Sequence, residues 1–302
     1  MLLRHMEYVV ALAQERHFGR AAALCGVTQP GLSSALKTLE AELGTPIVRR
    51  HQRFDGFTPE GERLVEWCRR ILADKRAMLD EMATMRSGLS GRLRLGASPS
   101  AAATVARIAK TFRDLHPTVQ FDVIYVRHER LPSELQDFQL DAAITFLDEE
   151  NSRFGHHVLS RQRMAALIPD GFDLAHRKCA SWAEIAELPL SLLSRQTYER
   201  RAIDACFQAA GANPEPVLQS ETLPEILMSV AIGDAATVLP LTCLQDISLR
   251  SIGKIVQLES EQPIHDLAMI WLNINNLAPL VSALTSIVKQ DAAIGVAENL
   301  II

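Results

Sequence analysis

The cysteines of this chain are few and lack the spacing of a metal site or a disulfide framework. The 302 residues contain five, without a Cys-X-X-Cys pair: Cys25, Cys68, Cys179, Cys206 and Cys243. An odd number of widely separated thiols is typical of reduced cysteines inside a cell. We therefore expect a cytoplasmic protein that has no metal site.

Membrane-spanning runs and catalytic motifs are also missing. The start, MLLRHMEYVVALAQ, has no basic stretch followed by an uninterrupted apolar run, so we expect no signal peptide. The other apolar runs are too short to cross a membrane. The GxSxG, Walker, GxGxxG and HExxH motifs are absent from the sequence. We expect no enzyme activity, no catalytic residues, no cofactor and no membrane contact.

The excess of acidic residues, 36 Asp+Glu against 31 Lys+Arg, is unevenly distributed along the chain. Residues 1–92 carry a net charge of +3, whereas the remainder carries −8. Charges are screened beyond a Debye length of ~8–10 Å, so a locally basic end can bind DNA on an acidic protein. The distribution of charge predicts a DNA contact at the N-terminus.

A helix, a tight turn and a second helix are predicted between His17 and Gly44. The first helix runs from Phe18 to Leu24, Gly26 supplies a positive φ, and Thr28 caps the second helix. An apolar stripe at helical spacing predicts its buried face: Leu32, Ala35, Leu36, Leu39 and Leu43. The opposite face is polar and suits the major groove of DNA: Gln29, Pro30, Ser33, Ser34 and Lys37.

A basic wing is predicted directly after this pair of helices. Residues 45–48 form a short extended segment, and Arg49, Arg50 and Arg53 follow before Phe57. Arginines on such a hairpin can contact the DNA backbone or the minor groove. An ordinary amphipathic helical hairpin followed by a solvated charged loop is the alternative, but the order of the two features favours DNA binding.

Short motifs across this region resemble the N-terminal domain of LysR-type transcriptional regulators. They are Phe18 with Ala21-Ala22, Thr28-Gln29-Pro30, Leu32-Ser33, Leu39-Glu40, Glu42-Leu43-Gly44 and Thr58-Pro59-Glu60-Gly61. The family often has Arg and Gln where this chain has Ser34 and Ala35, and usually Phe at Val48. These departures shift the expected base readout onto Gln29, Ser33, Lys37 and the arginines of the wing.

A long helix is predicted from Pro59, with Thr58 as its N-cap, because Gly and Pro are then absent until Gly88. Its apolar residues alternate at three and four positions, which predicts a dimer seam: Leu64, Cys68, Ile71, Lys75, Met78, Met82 and Met85. Packing on the core of its own domain is the alternative. A homodimer would present two recognition helices to an interrupted inverted repeat in double-stranded DNA, and the resemblance allows a homotetramer.

Strands and helices alternate after Arg92, which predicts an α/β domain with parallel pairing of its first three strands. These strands are expected at residues 93–97, 121–125 and 142–146. Two capping boxes are predicted, Ser181 with Glu184 and Thr222 with Glu225. Further strands are expected at residues 190–193, 237–239 and 267–272.

The resemblance implies an effector domain of two α/β lobes, similar to a periplasmic solute-binding protein. The expected divisions are residues 1–58 for a winged helix-turn-helix domain, 59–91 for the linker helix, 92–163 and 267–302 for the first lobe, and 164–266 for the second. The fold class is therefore α/β overall, with a winged helix-turn-helix at the N-terminus.

Polar residues after strands and at helix starts are predicted to bind an effector between the lobes, and hydroxyls there favour a small carboxylate. They are Ser98, Ser100, His128, Thr145, Ser194, Gln196, Thr197 and Thr222. Each Ser or Thr alone is more often a helix cap. Arg127, Arg195 and Arg200 could pair with the carboxylate, but surface ion pairs are expected for at least two of them.

These features predict a homo-oligomeric transcriptional regulator that responds to a small-molecule effector and contacts RNA polymerase when it activates. Two alternatives belong to other classes. A solute-binding protein without DNA function is disfavoured by the basic wing and by the expected lack of a signal peptide. A redox switch at Cys206 is disfavoured because this thiol lies in an apolar helical run.

Overall fold

The computed structural model of this chain has two units, residues 1–88 and 89–302, which are described separately. It describes residues 2–50, 54–246, 251–258, 265–274 and 277–290. In these ranges the helices are too short or too polar to cross a membrane.

The described residues of the first unit form four helices and a hairpin. They are α1 (Leu3–Glu15), α2 (Phe18–Leu24), α3 (Gln29–Leu43), β1 (Val48–Arg50), β2 (Phe54–Phe57) and α4 (Pro59–Ser87). The predicted bounds of α2 are confirmed, as is the positive φ of Gly26, 65°. Thr28 caps α3 as predicted, because its Oγ1 accepts the N–H of Gly31 at 3.3 Å. The antiparallel pairing of β1 with β2 confirms the hairpin after α3.

The apolar stripe of α3 lies in the core for most of its length. Leu32, Leu36 and Leu39 are buried against α1 and α2. Burial of Leu43 was predicted wrongly, since this side chain is 42% exposed. It is the last residue of α3, and the chain turns away at Gly44 (φ 69°) before core neighbours can cover it.

The helix α4 has two different apolar segments, so the prediction of one continuous dimer seam was wrong. Val65 and Cys68 are buried in the core of the first unit, because α1 packs along this half of α4. Lys75 also turns toward its own domain and donates from Nζ to Oε1 of Glu7 at 2.9 Å. Beyond it, the apolar side chains are exposed: Met78, Leu79, Met82 and Met85.

The second unit alternates strands and helices as predicted. Its elements in chain order are β3 (Gly91–Ala97), α5 (Ala102–Leu115), β4 (Val119–Tyr125), α6 (Leu131–Gln136), β5 (Ala142–Phe146), β6 (Gly155–Gln162), β7 (Met164–Ile168), β8 (Cys179–Ala180), α7 (Trp182–Ala186), β9 (Ser191–Leu193), α8 (Tyr198–Ala209), β10 (Leu218–Ser220), α9 (Leu223–Ala231), β11 (Thr237–Pro240), α10 (Leu241–Asp246), β12 (Lys254–Leu258), β13 (His265–Trp271) and α11 (Pro279–Gln290).

The strands of this unit belong to two lobes. The first lobe contains the five-stranded sheet β4-β3-β5-β13-β6, in which β3 is parallel to β4 and β5, as predicted. The second lobe contains the sheet β11-β7-β12-β8 and the parallel pair β9-β10. The chain crosses between the lobes after β6 and again before β13. The carboxyl end of β3 in the first lobe and that of β9 in the second lobe can both face the cleft between the lobes.

The two predicted capping boxes differ in the structure. At α7 the box is confirmed, because Ser181 and Glu184 exchange side-chain and backbone hydrogen bonds. At α9 the prediction was wrong, since the Thr222 side chain caps no backbone N–H. Its Oγ1 instead donates to Oε2 of Glu225 at 2.5 Å, and the hydroxyl of Ser220 donates to the same oxygen at 2.9 Å.

Candidate DNA interface and effector cleft

The polar side chains of α3 that were predicted to contact DNA lie outside its buried stripe. Ser33 is half-buried, and the other four predicted contact residues are exposed: Gln29, Pro30, Ser34 and Lys37. Two of them, Gln29 and Pro30, stand in the first turn, where backbone N–H groups point outward along the helix axis. This face can therefore offer side-chain hydrogen bonds and helix N–H groups to one groove of DNA.

A carboxylate of α3, that of Glu40, holds the start of the wing, a role that the motif Leu39-Glu40 did not predict. Oε1 of Glu40 accepts the backbone N–H groups of Ile47, at 3.0 Å, and Val48, at 3.3 Å. Arg49 is exposed on β1, and the backbone of Arg50 ends that strand. Arg53 lies outside the described residues.

A cleft of about 100 Å³ between the lobes contains five of the eight predicted effector residues. These are Ser98, His128, Gln196, Thr197 and Thr222. Other side chains of the cleft were not predicted, among them Tyr125, Tyr198, Glu199 and Glu221. The cleft thus combines hydroxyls and amides with two aromatic rings and two carboxylates.

Three of the predicted residues in the first lobe form one buried hydrogen-bonded chain. The hydroxyl of Thr145 lies 3.0 Å from Oγ of Ser98 and 3.1 Å from Nδ1 of His128. The other ring nitrogen, Nε2, lies 2.5 Å from Oδ2 of Asp148. Thr145 is fully buried and lies behind Ser98 and His128, so it positions them.

The carboxylate of Asp148 closes this chain at its outer end. Burial alone would raise its pKa, but the N–H of Asn151 and the ring of His128 donate to the carboxylate and keep the pKa below its ordinary value. An ionised Asp148 holds the His128 ring in one orientation beside the cleft.

Tyr198 is an aromatic contact between the lobes that was not among the predicted effector residues. Its ring is stacked on Phe146 of the first lobe, with centroids 5.0 Å apart, and lies 4.8 Å from the ring of His128. Burial raises the pKa of its hydroxyl, as does the nearby charge of Asp148. A tyrosine that starts α8 and follows a capping Thr197 could have suggested a cleft position.

The remaining predicted residues have local partners. Thr197 caps α8, since its Oγ1 accepts the N–H of Arg200, and it donates to the carbonyl oxygen of Ser194 at 2.9 Å. Ser100 is buried and donates from both N and Oγ to Glu199. Ser194 and Ser100 are therefore held within the protein, while Gln196 and Thr222 face the cleft.

The three arginines considered for the effector all have acidic partners. Arg127 donates to Glu221 at 3.0 Å, and Arg195 lies 3.9 Å from Glu215, both at the surface as expected. Arg200 differs, because its side chain is fully buried in the second lobe. It donates to Asp204 and to the carbonyl oxygen of Leu193, and so fixes the end of β9.

The thiols in the described part of the chain lie away from the cleft. Burial raises the pKa of Cys68 to about 11 and raises the pKa values of Cys206 and Cys25 as well. A thiol that stays protonated at neutral pH is a poor nucleophile toward oxidants. Within the described ranges, no three His, Cys, Asp or Glu side chains are grouped as metal ligands.

Known proteins resemble the chain over nearly its whole length. Residues 3–62 match the bacterial regulatory helix-turn-helix protein, lysR family, and residues 86–293 match the LysR substrate binding domain. The DNA-binding transcriptional dual regulator OxyR of Escherichia coli is 30% identical over 242 residues, which are 80% of this chain and 79% of the relative. The regulator AlsR of Bacillus subtilis is 25% identical over 269 residues, 86% of this chain and 88% of the relative.

Solved structures have the same fold. A full-length OxyR variant from Pseudomonas aeruginosa has a TM-score of 0.71 at 23% identity, covering 97% of this chain and 99% of its own. CbnR in complex with its target DNA has a TM-score of 0.66 at 17% identity, covering 96% and 99%. With matches to both domain families on one chain, this protein belongs to the LysR family of DNA-binding transcriptional regulators, which carry an effector-binding domain.

Proposed function

We propose that this regulator reads an interrupted inverted repeat in double-stranded DNA through the polar face of α3. Gln29, Ser33 and Lys37 make the base and nearby phosphate contacts, with Pro30 and Ser34 beside them. Arg49, Arg50 and Arg53 of the wing contact the DNA backbone. The observation that carries this proposal is the exposure of Gln29, Pro30, Ser34 and Lys37 beside the buried Leu32, Leu36 and Leu39.

We also propose that this regulator acts as a homodimer or homotetramer in the cytoplasm. The exposed apolar segment of α4, residues 78–85, supports self-association through the linker helix, residues 59–91. The winged domain occupies residues 1–58, and the lobes occupy residues 92–163 with 267–302, and 164–266. RNA polymerase is the proposed further partner when the regulator activates.

The proposed effector is a small molecule with a carboxylate that binds between the lobes. Hydroxyl, imidazole and amide groups from both lobes line the cleft, which supports a polar ligand. Such a ligand shifts the regulator only if it binds one arrangement of the lobes better than another. Of the three predicted residues that have internal partners, Thr145 and Ser194 support this site from behind, and Ser100 offers it a hydroxyl and a backbone N–H.

A nuclease footprint of the purified protein on the DNA upstream of its own gene tests this function. The expected result is a protected site with dyad symmetry, whose length changes when small carboxylic acids are added. Absence of protection at low salt, both there and on pooled genomic fragments, would contradict DNA recognition, because electrostatic binding is strongest under those conditions.

A second candidate is a peroxide-responsive regulator, since relatives 30% identical to this chain are named hydrogen peroxide-inducible genes activators. The protonated, partly buried Cys206 and a cleft lined without cysteine oppose it in the described residues. Alkylation of the thiols decides between the two. We expect an unchanged response to the effector, whereas a peroxide response that is lost in Cys206→Ser would favour the second candidate.

A further inference from the structure

A carboxylate of the protein itself occupies the donor groups that were predicted for the effector. Glu199, in the first turn of α8 in the second lobe, reaches across to Ser100 in the first lobe. Its Oε1 accepts the hydroxyl of Ser100 at 2.5 Å and the backbone N–H of Ser100 at 3.3 Å. Glu199 is 1% exposed and Ser100 is 7% exposed, so this contact is shielded from bulk water.

The contact lies at the wall of the cleft. Glu199 and Ser98 line the cleft, whereas Ser100, which Glu199 contacts, is not part of its lining. A ligand that enters the cleft therefore meets the glutamate before it can reach the N–H and hydroxyl of Ser100. The two donors of Ser100 replace part of the hydrogen bonding with water that a carboxyl group loses when it is buried.

The cations around the cleft have other partners among the described residues. Arg127 pairs with Glu221 at 3.0 Å, and Arg201 pairs with Glu129. Both pairs join the first lobe to the second, and Glu199 takes part in neither. Within the described residues, Ser100 is the one hydrogen-bond partner of the Glu199 carboxylate, so release of Glu199 requires the loss of two hydrogen bonds to a single residue.

We propose that Glu199 is a built-in occupant of the carboxylate site and that an effector carboxylate binds by displacing it from Ser100. This inference rests on the proposed effector cleft. Because Glu199 is tethered, its effective concentration is high, and a simple monocarboxylate binds the wild-type protein weakly. The effector needs further groups that contact the cleft, and its binding releases one link between the lobes.

Acetate, added to the full-length protein, tests the displacement directly. Glu199→Ala removes the internal carboxylate and leaves the donors of Ser100 open, so acetate can take its place. We expect acetate, compared with chloride at equal ionic strength, to raise the melting temperature of Glu199→Ala by about 3 °C more than that of the wild type. Glu129→Ala is the control, since it removes another carboxylate between the lobes without freeing Ser100.

Equal acetate shifts for Glu199→Ala, Glu129→Ala and the wild type would overturn the proposal. If Glu199→Ala does not fold, Glu199→Gln decides, because the amide keeps the shape but binds the donors of Ser100 less strongly. An acetate shift for Glu199→Gln above that of the wild type supports displacement, and an equal shift overturns it.

The DNA footprint separates this inference from the proposed function. In one outcome, the wild-type footprint responds to small carboxylic acids, but acetate has no effect on either Glu199 variant. The effector then binds elsewhere in the cleft, and only the displacement is wrong. In the other outcome, acetate stabilises the variants, but no acid changes the footprint. The exchange then occurs, but the proposed effector class is wrong.

Discussion

Gly61 lies so close to Ile47 that a Cβ atom at residue 61 would be 2.0 Å from the carbonyl oxygen of Ile47. Gly61 stands in the first turn of α4, where its N–H donates to Oγ1 of the capping Thr58 at 3.0 Å. The N–H of Thr58 in turn donates to the same Ile47 carbonyl oxygen at 3.0 Å. The missing side chain is therefore what allows the linker helix to start directly against the wing.

Replacing Gly61 with Ala is expected to destabilise the first unit by about 3 kcal/mol, because a backbone atom cannot move aside as a flexible side chain would. Denaturant unfolding followed by helical circular dichroism measures the change. Gly171→Ala is the matched control, since a Cβ atom there meets nothing within 4 Å. Equal stability of the two variants would show that the wing tolerates displacement.

Met82→Glu is expected to weaken self-association at least tenfold, since it places a charge within the exposed apolar segment of α4. Met82 is 44% exposed in the single chain, so folding of the protomer should be little changed. Sedimentation across a range of protein concentrations measures the dissociation constant. Met82→Leu keeps the apolar surface and should associate as the wild type does. If Met82→Glu also associates normally, the interface lies elsewhere.

Arg49→Ala is expected to weaken binding to every DNA sequence, because an arginine on the wing contacts phosphate and not base edges. The slope of log K against log salt should fall by about 0.9 for each phosphate contact that is lost. Binding titrations between low and moderate salt measure it. Arg113→Ala, exposed at the end of α5, removes the same charge from the effector domain and should leave the slope unchanged.

Stability is expected to fall at alkaline pH because of Cys68. Burial raises the pKa of this thiol from 9.0 to about 11, so between these values the folded chain holds a proton that the unfolded chain has lost. The stabilisation is complete below pH 9 and is lost as the pH rises through 11. Melting temperatures from pH 8 to 11 should fall less steeply for Cys68→Ala than for the wild type. Parallel curves would contradict the assignment.

Local signals predicted the helix-turn-helix because each of its boundaries depends on a single residue. Gly26 provides the left-handed turn and Thr28 the cap, and both act within four residues of their own position. Strands β3 and β5 were predicted for a similar reason, since alternation and apolar runs are properties of neighbouring residues. Two residues of the cleft, Ser98 and Gln196, were predicted from the order of the strands, because they follow β3 and β9.

Contacts between distant residues could not be predicted in this way. The apolar spacing of α4 is the same whether the helix packs on α1 or on a second chain, and only the position of α1 beside Cys68 decides. Ser100 and Glu199 are 99 residues apart, and no local pattern marks them as partners. The stacking of Tyr198 on Phe146 likewise depends on how the two lobes meet.

The ratio of specific to non-specific DNA affinity, measured for the wild type and for Gln29→Ala at one salt concentration, tests the central claim most directly. A lost base contact is worth about 1–3 kcal/mol, so we expect the ratio to fall roughly 5- to 150-fold while non-specific affinity stays constant. An unchanged ratio would mean that another surface, and not the exposed face of α3, reads the sequence.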